Sequence, residues 1–240
     1  MSESLNGKVA VVTGGSRGIG LSIAQALVAD GARVTVTGRN EAHLSAARPL
    51  IEKAGPGAVE TVRADARQYD EVEHAVATAV ARFGGLDILV NNAGIGIFAY
   101  VADMTPAEWS DVIDTNLTGV FYACHAAIPH LRRRGGGFIN NISSLAGKSA
   151  FPKAAAYCAT KSGLNAFSEA LMQEVRYDGI RVSYVMPGSV ATEFGGGGPT
   201  GADWKVAPEE VAEVVLNLLR HPPRSLPSRV EIRPTKPPRK

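Results

Sequence analysis

The sequence predicts an α/β fold, a doubly wound parallel sheet of about seven strands with helices on both faces. Two patterns carry that expectation. Short β-branched runs alternate along the chain with longer alanine-rich helical stretches, and the strand-like runs lack in–out alternation, as a sheet covered on both faces requires. A third observation is size: 240 residues, 45% of them hydrophobic, can bury one core. The chain shows no linker and no internal repeat, so residues 1–240 are read as a single domain.

Val9–Val12 is the first strand, followed by a glycine-rich turn and a helix over Ile19–Ala29 with Ile23, Ala24 and Leu27 on one face. Val34–Val36, Val59–Val62, Ile88–Val90, Phe138–Ile142 and Val182–Val185 are the next strands, with Val230–Ile232 as a short last one. Helices are expected over Glu41–Lys53 and Asp70–Phe83, and as two long stretches near Ala107–Arg133 and Ala155–Tyr177. Arg132, Arg133 and Arg134 suit a helix C-terminus, where cations complement the macrodipole. Residues 188–207, with four glycines at 195–198, are expected to form a mobile substrate flap, and residues 222–240 a proline-rich basic tail.

Composition narrows the function. A net charge of +2 gives no reason to expect nucleic acid or an anionic membrane as partner. No apolar run approaches the roughly 20 residues of a membrane span, and Met1–Lys8 has no apolar signal core, so the expected location is cytoplasmic. Cys124 and Cys158 form no metal-site spacing, and His43, His74, His125, His130 and His221 are scattered, so no metal is expected.

The chemistry-bearing motifs fall at strand ends. Thr13-Gly14-Gly15-Ser16-Arg17-Gly18-Ile19-Gly20 links the first strand to the first helix. Glycines there let the backbone approach a pyrophosphate, and the helix N-terminus offers free N–H donors. The second strand ends Thr37-Gly38-Arg39 with no acid before Glu41. Arg17 and Arg39 therefore suit the 2′-phosphate of NADP(H), in preference to NAD(H), whose ribose hydroxyls usually meet an acid there. Asp65, followed by Ala66, is placed to meet the adenine amino group. Tyr157 and Lys161 share a helical face, and Ser144 lies thirteen residues earlier, past a strand end. Ser143 is the alternative hydroxyl, and the spacing favours Ser144. Asn91-Asn92-Ala93-Gly94 ends the fourth strand at the same edge.

Together with Asn116 and Pro187-Gly188-Ser189-Val190-Ala191-Thr192, these motifs resemble the short-chain dehydrogenase/reductase family, compact Rossmann branch, from about Gly7 to Leu219. The resemblance implies an enzyme moving hydride between a nicotinamide and a carbonyl or secondary alcohol. Tyr157 would be the acid–base group, Lys161 would favour its phenolate and hold the nicotinamide ribose, and Ser144 would bond the substrate oxygen. Asn116 would hold a water that relays protons to Lys161. Thr192 and the Val190 backbone would fix the carboxamide, beside Pro187 and Gly188. Gly14, Ser16, Gly18, Ile19, Gly20, Asn92, Ala93 and Gly94 would complete the cofactor site. Ile95, Phe98, Leu145, Phe151, Val190 and Phe194 are expected pocket walls.

The motifs are most similar to those of 3-oxoacyl carrier-protein reductases, which implies an acyl thioester substrate. Val230-Glu231-Ile232-Arg233 at the end instead resembles relatives acting on 3-hydroxy acids or small alcohols. A regulator that senses NADP without chemistry is the competing class. A homodimer or homotetramer through the two long helices is expected.

Overall fold

The structure is a computed structural model describing residues 4–194 and 203–238. Seven parallel strands form one sheet in the order β3-β2-β1-β4-β5-β6-β7. They are β1 (Val9–Val12), β2 (Arg33–Gly38), β3 (Val59–Arg63), β4 (Ile88–Asn91), β5 (Gly137–Ile142), β6 (Ile180–Pro187) and β7 (Arg229–Ile232). Helices α1 (Gly18–Ala29), α2 (Glu41–Glu52) and α7 (Pro208–Leu219) cover one face. Helices α3 (Tyr69–Phe83), α5 (Gly119–Arg133) and α6 (Ala155–Val175) cover the other, with α4 (Pro106–Ile113) leading into α5.

Burial on both faces explains the missing alternation. In β1, Ala10 and Val12 join the core under α1, while Val9 and Val11 join the core under α3 and α5. Helix ends follow local chemistry. Thr105 and Glu108 form a capping box ahead of Pro106 in α4, and Gly84 ends α3 in the left-handed conformation at φ +85°.

Three differences from the sequence reading have physical causes. The stretch near Ala107–Arg133 is not one regular helix: a π-helical segment, Asp114–Thr118, sits between α4 and α5. Such wide turns concentrate at functional sites, and this one carries Asn116. The stretch near Ala155–Tyr177 ends its α-helix at Val175 and closes with a 3-10 turn, Arg176–Asp178. Helix α7 was not expected, although Pro208 at its first turn and buried Val211, Ala212, Val215, Leu218 and Leu219 mark it.

The order reverses between β1 and β4, so crossovers leave in opposite directions and open a crevice at their C-terminal ends. The flap expected over 188–207 includes 195–202, which lie outside the described residues. Its two flanks meet in a parallel bridge between Val190 and Val206. In the tail, Glu231 pairs with Lys148 at 2.7 Å and Arg233 at 2.6 Å. These cations, Arg233 first, hold its carboxyl at about 2.

Candidate active site

A groove of about 1420 Å³ runs along the C-terminal edge of the sheet, from Arg39 and Asp65 past the glycine turn to Tyr157 and Phe194. Its floor is fixed by close approach of two chain segments. Thr13 Oγ1 accepts from the backbone N–H groups of Asn92 at 3.0 Å and Ala93 at 3.1 Å. Asn92 Nδ2 donates back to the carbonyls of Thr13 at 3.1 Å and Gly14 at 3.0 Å. A side chain on Gly14 would put its Cβ 2.8 Å from Ala93 Cα. The turn and the end of β4 thus lock together only because glycine stands there.

Lys161 and Tyr157 project from the first two turns of α6 into this groove. Lys161 is 5% exposed, its Nζ donates to Ile142 O at 2.8 Å, and it lies 5.8 Å from the centre of the Tyr157 ring. Burial lowers the Lys161 ammonium to about 8. Tyr157 is 9% exposed. Burial raises its phenol above the ordinary value, and a hydrogen bond with the Ser144 side chain pulls it partway back. Burial is the largest of these causes, so the Tyr157 phenol holds its proton at neutral pH. Ser143, the alternative hydroxyl, donates to Asn165 Oδ1 at 2.6 Å, while Ser144 Oγ accepts from Ala146 N at 3.1 Å and is the serine that acts on the Tyr157 phenol.

A buried polar ladder sets the position of α6. Asn91 Nδ2 donates to Asn141 Oδ1 at 2.8 Å, Asn141 Nδ2 to Ser168 Oγ at 2.8 Å, and Ser168 Oγ to Leu164 O at 2.7 Å. The sequence reading placed Asn91 in the motif that ends β4 but missed its partners Asn141 and Ser168; asparagines inside a fully buried strand were the available signal. Asn116 is fully buried and its amide clamps the chain after β4. Its Oδ1 accepts from Ile95 N at 2.8 Å, and its Nδ2 donates to Ile95 O at 2.9 Å and to Thr160 Oγ1 at 3.2 Å.

At the far end, Arg39 lines the groove and makes no ion pair among the described residues. Arg17 instead pairs with Glu193 at 3.0 Å. Asp65 lines the groove, and Arg67 holds its carboxylate: Arg67 Nη2 binds it at 2.7 Å and Arg67 Nε contacts both oxygens at 3.1 Å. Arg67 also pairs with Asp111 of α4. Ser16, Gly18, Ile19, Ala66, Gly94, Ile95, Phe98, Leu145, Phe151, Pro187, Gly188, Val190 and Thr192 line the groove, while Gly20 stands just behind it, against Asn92. Among the described residues no cluster suits a metal. Cys158 is buried, and burial pushes the Cys124 thiol up to about 12.

Residues 8–198 match the family model of the short chain dehydrogenases. The chain belongs to this family. Its relatives are oxidoreductases. One, an uncharacterized oxidoreductase of Staphylococcus saprophyticus, is 34% identical over 230 residues, covering 96% of this chain and 98% of that protein. A 3-oxoacyl-[acyl-carrier-protein] reductase of Chlamydia muridarum is 40% identical over 195 residues, 81% of this chain and 78% of the other. Among solved structures, a metagenomic short-chain oxidoreductase in complex with NADP superposes with a TM-score of 0.86 at 38% identity, covering 98% of this chain and all of that one. The short-chain dehydrogenase fold expected from the motifs is therefore the fold found. No helix among the described residues is long and apolar enough to cross a membrane.

Proposed function

We propose that this short-chain dehydrogenase reduces a carbonyl with NADP(H), and that Tyr157 is the proton donor. The observation that carries this reading is a buried, protonated phenol that shares one groove with Ser144, a buried ammonium and an open glycine cradle. The cradle fits a dinucleotide: Gly14 and Gly18 present backbone where a side chain would collide with Ala93 or press on Thr192. When bound, the nicotinamide supplies the hydride that joins the carbonyl carbon and is itself left oxidised.

The chain's own residues do the rest. Ser144 and Tyr157 hydrogen-bond the carbonyl oxygen where negative charge develops, and the Tyr157 proton passes to it as the C–O single bond forms. Lys161, charged below about pH 8, favours the resulting phenolate. Asn116 holds Ile95, and with it the wall next to Gly94, in place. Arg39, which makes no ion pair among the described residues, takes the 2′-phosphate, and Arg17, now paired with Glu193 through one Nη nitrogen, stands beside it. The alternative of a 3-hydroxy acid or small-alcohol dehydrogenase uses the same site in the reverse direction. The chlamydial relative supports a 3-oxoacyl thioester as substrate.

The test is consumption of NADPH, followed by absorbance, over a panel of ketones, acetoacetyl thioesters and 3-oxo acids. Turnover is expected, and Arg39→Ala raises KM for NADPH about 10-fold or more while leaving KM for NADH nearly unchanged, as loss of a charge-assisted phosphate contact requires. Tight NADPH binding with no turnover of any carbonyl would favour the sensing regulator instead.

A further inference from the structure

The end of the groove at Tyr157 is walled by rings. The Phe98 ring stands edge-on to Tyr157 with centroids 5.8 Å apart and planes at 68°. The Phe194 ring flanks the other side at 5.5 Å and 50°, and Phe151 extends the wall 6.1 Å beyond Phe98. These phenylalanines are 39%, 44% and 47% exposed for Phe98, Phe194 and Phe151, and all three face one concavity. Apolar side chains left uncovered together in a concave site mark a binding surface. Gly96 explains how the rings converge: a Cβ there would lie 2.9 Å from both Phe98 Cζ and Phe194 Cε1. Both rings therefore close on the backbone at Gly96, where only glycine leaves them room.

Charge points the same way. The arginines lining the groove, Arg17, Arg39 and Arg67, belong to the glycine turn and the ends of β2 and β3. Of the lining lysines, Lys161 is bonded to Ile142 O, and Lys205 holds its Nζ over the Trp204 ring at 5.9 Å. Among the described residues, no arginine fork stands among the rings to receive a substrate carboxylate.

We propose that the substrate carries a planar aromatic ring on the carbonyl carbon that is reduced, seated among Phe98, Phe151 and Phe194. This rests on the carbonyl-reductase reading of the same site. A ring meets such walls in the tilted and edge-on arrangements that aromatic pairs favour, a gain beyond the apolar area that an alkyl chain would bury equally well. A flexible chain also has more rotamers to lose on entering a flat-walled slot. Two ring contacts correspond to about a ten- to hundredfold advantage in kcat/KM.

The same aryl ketone chemistry could arrive as a free ketone or as the distal part of a 3-oxo thioester, and the experiment separates these. With NADPH, kcat/KM is measured for acetophenone, for the N-acetylcysteamine thioester of 3-oxo-3-phenylpropanoic acid, and for the acetoacetyl thioester, acetoacetate and an aliphatic methyl ketone with the same carbon count as acetophenone. Each aryl compound is expected to exceed its aliphatic counterpart at least 10-fold, and the better of the two identifies the source. Phe98→Leu and Phe194→Leu keep the sites apolar and should bring the aryl-to-aliphatic ratio towards one. Equal or better use of the aliphatic compounds, a preference for acetoacetate, or an aryl preference that survives both substitutions would overturn the proposal. If NADPH binds but no carbonyl is turned over, the reductase reading fails. Saturation-transfer NMR of acetophenone then decides the ring site separately: binding lost in both leucine variants supports it, and absence of binding to the unaltered protein overturns it.

Discussion

Gly20→Ala should destabilise the protein, against the ordinary rule for helices. Gly20 lies in the first turn of α1, and in an unencumbered helix interior alanine would gain about 1 kcal/mol over glycine. Here the new Cβ would fall 2.3 Å from Asn92 Nδ2, 2.5 Å from Gly14 O and 2.9 Å from Gly15 Cα. The asparagine amide must leave, and with it go the two hydrogen bonds to Thr13 O and Gly14 O, worth about 1 kcal/mol each. The backbone contacts cannot swing away as a side chain can, which adds an overpacking cost of about 1–3 kcal/mol. The helix gain offsets part of this, leaving a net loss of about 2–4 kcal/mol. For a chain of this size that is a fall in Tm of roughly 5–15 °C. Thermal unfolding followed by circular dichroism measures it. The same displacement loosens the joint between the glycine turn and β4, so affinity for NADPH and NADH should fall together. A variant as stable as the parent, or more so, would refute the claim that this joint is packed without slack.

Two further outcomes follow from buried polar groups. Lys161 has its pKa lowered from the ordinary 10.5 to about 8 by burial, so the unfolded chain holds the extra proton between those values. Stability should therefore rise as pH increases from about 8 towards 10.5, while carbonyl reduction falls over the same window as the ammonium is lost. Parallel pH profiles of Tm and of kcat/KM check this, with Lys161→Met expected to flatten the rise in Tm. Asn140 is fully buried in β5, and neither amide atom finds a partner among the described residues. Asn140→Val should stabilise the protein by about 1–3 kcal/mol, since it removes an uncompensated polar group from a strand and suits the strand backbone; chemical denaturation measures the gain.

The periodicity and composition of the chain carry the sheet and most of the helices, because a strand buried on both faces must be apolar throughout and short. The glycine turn was legible for a similar reason: a run of glycines between a strand and a helix has few other uses. Tyr157 and Lys161 were legible through helical spacing. What escaped depends on contacts between distant residues. The π-helical segment at Asp114–Thr118 accompanies the clamp between Asn116 and Ile95, a tertiary pairing that local propensity does not encode. The commitment of Arg17 to Glu193 joins residues 176 positions apart, whereas that of Asp65 to Arg67 spans two positions and was available in the sequence. The depressed ammonium and raised phenol arise from burial, which follows only once α6 is docked by Asn141 and Ser168. Helix α7 had its start signal in Pro208, Glu209 and Glu210 and was passed over beside the glycine run.

The measurement that bears most directly on the central claim is a comparison of the unaltered protein with Tyr157→Phe, which removes one oxygen and keeps the ring among Phe98 and Phe194. NADPH affinity by fluorescence titration should be retained within a few-fold, while carbonyl-dependent NADPH oxidation falls by at least about 100-fold. Turnover by the phenylalanine variant near that of the parent would contradict the account.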